Sequence, residues 1–199
     1  MTSVWTGERV RLRGVEPEDW QAFKEFDEHS VDKRSGDMLH PPRSDEGYRR
    51  WTLEEAARPP DGDSFRLAIV ALRDEVMVGT LNTGDADPRA GHFSYGIVIG
   101  HRHQRSGYAS EAISILLTFM FGERRYHKCE VGIHAFNEAS IALHTKLGFV
   151  EEGRLRDHEY FAGRHHDLIM MGLTAEEFSE RRAFPDVNHP RSDSGTVAP

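Results

Sequence analysis

The stretch from residue 108 to residue 121, Tyr-Ala-Ser-Glu-Ala-Ile-Ser-Ile-Leu-Leu-Thr-Phe-Met-Phe, constrains the fold more than any other part of the chain. Its periodicity is helical: Ser110, Ser114 and Thr118 form one narrow polar stripe, and nearly everything else is apolar. A surface helix keeps a wide polar face. One that is apolar almost all round must be covered on most sides, here by a sheet. The rest of the chain has to supply the strands.

Residues 9–13 alternate polar and apolar and read as a half-buried first strand. Pro17 suits the first turn of a helix, with Glu16, Glu18 and Asp19 near its positive end and Trp20, Phe23 and Phe26 on its buried face. Ser44 is placed to cap a second helix that presents Tyr48 and Trp51 and stops before Pro59-Pro60. Strands over 65–72, 76–83 and 92–99 follow, separated by turn residues at 73–75 and 85–91. Beyond the long helix, 127–134 is a strand with Cys129, Val131 and Ile133 on one face. Residues 137–147 form a helix capped by Asn137 and ended by Gly148, and 149–155 and 168–173 are two last strands around Gly163. The expected class is α/β, a single domain over residues 1–182 with about four helices on a mixed, mostly antiparallel sheet. Residues 183–199, rich in Pro, Ser, Asp and Gly, are expected to be a disordered tail.

Composition narrows the function. A net charge of -8 argues against general nucleic-acid binding and mildly favours a cationic substrate. No run approaches the ~18 apolar residues that span a bilayer, and the N-terminus lacks the basic-then-apolar pattern of a signal peptide. The lone Cys129 cannot form an internal disulfide, which fits a reducing compartment such as the cytoplasm. Placed among apolar strand residues, it reads as a core thiol.

The segment Gln104-Arg105-Ser106-Gly107-Tyr108-Ala109 joins a strand to the buried helix. Gly107 and Ala109 let a ligand come close to the backbone, and the helix start offers unpaired N–H groups and the positive end of its dipole. Arg102 and Arg105, with His101 and His103, add positive charge, so a phosphate is the natural ligand. The Gly-Lys-Ser/Thr ending of a P-loop is absent, as are the three spaced glycines of a dinucleotide fingerprint.

Gln104-x-x-Gly107-x-Ala109 after a strand resembles the Q/R-x-x-G-x-G/A loop of GCN5-related N-acetyltransferases (GNAT), and residues 137–149, ending in Leu147-Gly148-Phe149, resemble the family's Asn-capped helix. Gly163 to Asp167 is similar to the Gly-x-x-x-Asp hairpin of the ribosomal-protein-alanine and polyamine acetyltransferase branches. The resemblance covers roughly residues 8–173. It implies a sheet splayed between strands 4 and 5 and acetyl-CoA as acyl donor. The backbone of Ile97, Val98 and Ile99 would hold the pantetheine arm. Loop residues Arg102, Gln104, Arg105, Ser106, Gly107, Tyr108 and Ala109 would hold the pyrophosphate, and Asn137 and Ser140 the lower part of the coenzyme. Asn137 is equally readable as a helix cap alone.

Amide formation from a thioester needs a neutral amine, so a proton with a pKa near ~10.4 must be lost, and the departing thiolate must gain one. Relatives carry a tyrosine as donor where this chain has His144, whose imidazolium is a competent acid. Alternatively, His144 is a partly exposed helix residue without a task. Relatives often carry a glutamate where alignment on Gly96 finds Ser94; Glu130 and His134 on the next strand are the replacement bases. Tyr48, Trp51, Tyr95 and Tyr160 are candidate linings of the amine pocket. His101-x-His103 and His165-His166 lack a third ligand at recognised spacing, so no metal is expected. The acceptor is a small-molecule or protein amine, and a homodimer is kept open. The rival is a coenzyme A-binding sensor or structural protein without catalysis.

Overall fold

The computed structural model describes residues 3–30 and 39–181. Its seven strands are β1 (Val10–Gly14), β2 (Arg66–Ala71), β3 (Met77–Asp87), β4 (His92–Ile99), β5 (Lys128–His134), β6 (Val150–Phe161) and β7 (Arg164–Thr174). They form one sheet in the order β1-β2-β3-β4-β5-β7-β6. All neighbours are antiparallel except β4 and β5. The helices are α1 (Trp20–Glu28), α2 (Asp45–Ala56), α3 (Tyr108–Gly122), α4 (Glu138–Leu147) and α5 (Ala175–Arg181).

The nearly all-apolar helix is α3, and it is buried as its sequence demands. Ile113, Leu116, Leu117 and Met120 are fully buried against Val10, Leu81, Phe93 and Leu173 of the sheet. The polar stripe closes on itself, since Thr118 Oγ1 donates to the Ser114 carbonyl at 2.8 Å. On the opposite face α1 and α2 cover β2, β3 and part of β4, packing Phe23, Phe26 and Tyr48 onto Ala68, Val70 and Met77. Ser44 caps α2 as its sequence implies, its Oγ accepting from Gly47 N at 3.1 Å.

Three differences from the sequence reading are informative. β3 continues to Asp87, three residues into the expected turn. The last two strands are far longer than expected, because their outer halves form a hairpin beyond the core: 156–160 is exposed or half-buried throughout. With no buried face there is no alternation to read. The third is α5, not foreseen, which buries Phe178 against Phe121 with ring centroids 5.5 Å apart. Its signal was present: Glu177 Oε2 accepts from Thr174 N (2.8 Å) while Thr174 Oγ1 accepts from Glu177 N (3.2 Å), a capping box. The tail expected over 183–199 lies outside the described residues.

Candidate active site

The parallel pair holds β4 to β5 only over His92–Ser94 against Lys128–Glu130. Past Ser94, β4 stays paired with β3 as far as Ile99, and β5 stays paired with β7 as far as His134. The two strands therefore diverge into a fork. Along its β4 edge, Ile97 and Ile99 lean toward the α3 core and Val98 toward the α1–α2 core.

At the open end, β4 runs through Gly100 and a short turn into the loop that precedes α3. Arg105 (φ 60) and Gly107 (φ 81) are both left-handed, and this double turn swings the chain into the helix. Gly107 is the N-cap of α3 and no side chain caps that end, so first-turn N–H groups face outward, an arrangement suited to an anion. The loop residues Gln104 to Gly107 are exposed, and Tyr108 is buried beneath them. Gln104 Nε2 donates to the Ile99 carbonyl at 3.3 Å, tying the loop to the end of β4. Arg102 pairs with Glu25 of α1 at 3.4 Å, so its charge is shared with that helix. His101 stacks on His29, centroids 3.9 Å apart.

Two residues absent from the sequence reading shape this loop. Arg9 Nη1 donates to the Ser106 carbonyl at 3.2 Å. Glu111, in the first turn of α3, accepts from the backbone N–H groups of Glu8, Arg9 and Val10 at 2.9, 2.8 and 2.7 Å. The signal for Glu111 was a lone carboxylate in an otherwise apolar helix. Nothing local in sequence marked Arg9.

At the closed end, on the α3–α4 side, Tyr95 and His144 meet. The Tyr95 hydroxyl is 2.9 Å from His144 Nε2, and His144 Nδ1 is 2.7 Å from the Ser140 carbonyl. A carbonyl only accepts, so the proton of a neutral ring belongs on Nδ1 and Nε2 accepts from Tyr95. His144 is thus buried, at 3% exposure, and is not the partly exposed residue its helix position suggested. Burial lowers its pKa against the raising effect of the Ser140 carbonyl, while burial pushes Tyr95 well above 10.0. Burial thus favours the neutral form of each. Asn137 caps α4, its Oδ1 accepting from Ser140 N at 3.1 Å. Cys129 is fully buried with its pKa raised by burial, as a core thiol should be.

Alternation along β4 and β5 puts Ser94 and Glu130 on the opposite face. Ser94 Oγ donates to Asp85 Oδ2 at 3.3 Å, so a carboxylate stands one residue removed from the position where alignment had found only serine. Glu130 is engaged by Lys128 at 3.0 Å, and Lys128 also reaches Glu152 at 2.9 Å. His134 packs among Phe136 and Phe161, its Nδ1 buried without a partner. Tyr160 is 63% exposed on the outer hairpin. Among the described residues, no group of three or more His, Cys, Asp or Glu is arranged to hold a metal.

The family model described as "Acetyltransferase (GNAT) domain" matches residues 9–150. The chain belongs to the GNAT family. This GNAT chain is 38% identical over 176 residues to an uncharacterized N-acetyltransferase derived from the SPbeta prophage of Bacillus subtilis, a match covering 88% of the chain and 96% of that protein. It is 29% identical over 161 residues to the spermidine N(1)-acetyltransferase of Vibrio cholerae, covering 81% of the chain and 80% of that enzyme. Its fold superposes with a TM-score of 0.72, at 19% identity, on the crystal structure of spermidine N-acetyltransferase from Vibrio cholerae in complex with CoA and spermine, covering 85% of this chain and 97% of that one. It is an N-acetyltransferase of the GNAT type.

Beneath α1 and α2 this GNAT domain has a cavity of about 510 Å³ that reaches Gly96, Ile97 and Val98 of β4. Tyr48 and Trp51 line it. The loop before α3 and this cavity thus both reach the later half of β4.

Proposed function

We propose that the chain transfers an acetyl group from acetyl-CoA to a primary amine by direct attack within a ternary complex. The observation that carries the reading is the β4–β5 fork, which leaves the β4 edge past Ser94 without a strand partner. An extended pantetheine arm can add to that edge through the backbone of Ile97, Val98 and Ile99. The loop backbone from Gln104 to Gly107 and the uncapped start of α3 at Tyr108 and Ala109, with Arg105 and Arg102 beside them, fit the pyrophosphate, and the α4 start at Asn137 and Ser140 fits the chain below it.

The amine nitrogen attacks the thioester carbonyl carbon, the C–N bond forms and the C–S bond breaks. A β4 backbone N–H is the donor for the oxygen as charge develops. The neutral amine nitrogen loses one proton to water on the acceptor face, near Asp85, Glu130 and His134, and the departing thiolate takes one proton from water. Tyr95 serves the sulfur. Burial keeps its hydroxyl protonated; the single proton rests on His144 Nε2 and turns from there to the developing thiolate as charge builds, a hydrogen bond rather than a proton transfer. The reducing surroundings that suit a single buried thiol point to the cytoplasm. The exposed β6 edge is where a homodimer would pair.

A thermal shift with acetyl-CoA followed by thiol release with a panel of amines tests the reading. A shift with turnover on at least one amine is expected. A shift without turnover on any amine would replace it with the non-catalytic coenzyme-binding reading.

A further inference from the structure

The acceptor side of the fork carries positive charge that a polyamine site would not use. Two guanidiniums line the cavity under α1 and α2, those of Arg43 and Arg66. Both lie over the Trp51 ring, their Cζ atoms 5.5 and 5.8 Å from its centroid. Arg43 also lies 5.8 Å over Tyr48, is exposed, and has no acidic partner among the described residues. Arg66 Nε is buried and makes no hydrogen bond: the Glu55 carboxylate, 3.3 Å away, is misaligned for one. Among the described residues lining the cavity the one carboxylate is Asp27, and it already accepts the Tyr48 hydroxyl at 3.0 Å.

A guanidinium stacked on an aromatic ring keeps its N–H edge free, and that edge matches the two oxygens of a carboxylate. An unsatisfied buried N–H beside it favours an acceptor arriving with the ligand. A polyamine would instead bring ammonium groups toward two guanidiniums and one occupied carboxylate. We propose that the amine acetylated here belongs to a molecule that also carries a carboxylate, held by Arg43 and Arg66 while its nitrogen reaches Gly96–Val98. The cavity volume of about 510 Å³ lies in the ordinary range of small-molecule sites. The proposal rests on the reading of the fork as the site of acetyl transfer.

The test compares thiol release from acetyl-CoA with ω-amino carboxylates from glycine to 5-aminovalerate, with alkylamines of matching length, and with spermidine. At least one amino carboxylate should exceed its matching alkylamine and spermidine in kcat/KM by about tenfold or more, the effect of one charge-assisted hydrogen bond. Arg43→Gln, at an exposed position where the fold is secure, should shrink that ratio by about as much. Calorimetry of the N-acetylated product with CoA present gives a readout that does not need turnover, and Arg43→Gln should weaken that binding as well. Arg43-dependent product binding without turnover would sink the acetyl-transfer reading, and with it the acetylation, and would leave Arg43 and Arg66 as a carboxylate-binding site. Turnover that favours spermidine, or that ignores the carboxylate, would overturn this proposal and leave acetyl transfer intact. Absence of both turnover and product binding would overturn both.

Discussion

The proposed coenzyme end and the proposed acceptor end of the fork are built in opposite ways. The β4–α3 loop is a short continuous segment whose chemistry lies in its backbone: two left-handed residues, an uncapped helix start, and amides turned outward. The proposed acceptor cavity draws its lining from scattered parts of the chain, α1, the segment before α2, α2, β2, β3 and β4, most of them bearing large side chains. A backbone-built site recognises what all substrates of a family share. A side-chain-built site can be rewritten one residue at a time, and there a GNAT chain can differ from its polyamine-acetylating relatives. The same contrast holds for proton handling: the coenzyme side has the dry, neutral Tyr95–His144 pair, whereas the acceptor face has the half-exposed Lys128–Glu130–Glu152 cluster.

The sharpest break in this comparison would come from Tyr95, the one side chain on the coenzyme side assigned to the reaction. Tyr95→Phe should lower kcat by about 100- to 1,000-fold with little change in the KM for acetyl-CoA, the usual cost of losing a donor to developing charge. Single-turnover rates within twofold of the parent would show that the thiolate is served by water.

Next is the loop backbone. In Gly107→Ala the new Cβ would lie 2.5 Å from Arg9 Nη1, at a φ of 81. The left-handed conformation costs a non-glycine residue about 1–2 kcal/mol, and displacing Arg9 frees the Ser106 carbonyl. Acetyl-CoA affinity measured by calorimetry should fall by about tenfold or more, one charge-assisted hydrogen bond's worth. An unchanged affinity in a folded variant would mean the coenzyme is not held by this backbone.

A smaller effect is expected at Asn137, which does local structural work and is also assigned to the coenzyme. Asn137→Ala should cost about 1 kcal/mol, or about 2–4 °C in Tm, and should weaken acetyl-CoA binding as well. A loss confined to Tm makes it a cap alone.

The smallest effect is a pH dependence. Burial leaves His144 with a folded pKa below its ordinary 6.5, so the unfolded chain takes up the proton first. The associated stability is fully present above pH ~6.5 and is lost as pH falls through the depressed value. The parent's Tm should therefore drop over that interval more than that of His144→Gln, as followed by calorimetric melts. Parallel curves would mean that the folded protein accommodates the charged ring.

What was legible in the sequence follows the same division. The Gln104 to Ala109 loop, the Asn137 cap and the buried α3 could be read because each depends on neighbours in the chain. The partnership of Tyr95 with His144 could not, because the two residues are 49 apart in sequence and only the packing of α4 on β4 joins them. His144 looked half-exposed because the apolar positions of α4 are sparse, and the residue that buries it comes from another element. The long β6–β7 hairpin was half missed because strands that bury neither face carry no alternation.

The carboxylate of Glu111 has a consequence in time. It satisfies the amides of Glu8, Arg9 and Val10 across 103, 102 and 101 positions of chain. During synthesis, the opening strand therefore waits, with those amides open to water, until the first turn of α3 has left the ribosome. Contacts that close so long a loop form late. When this one forms, it brings in Arg9 together with the loop it braces. The proposed phosphate-binding end would then become competent only after more than half the polypeptide exists, and a fragment ending before α3 would keep β1 on β2 but leave the amides of Glu8, Arg9 and Val10 without their carboxylate.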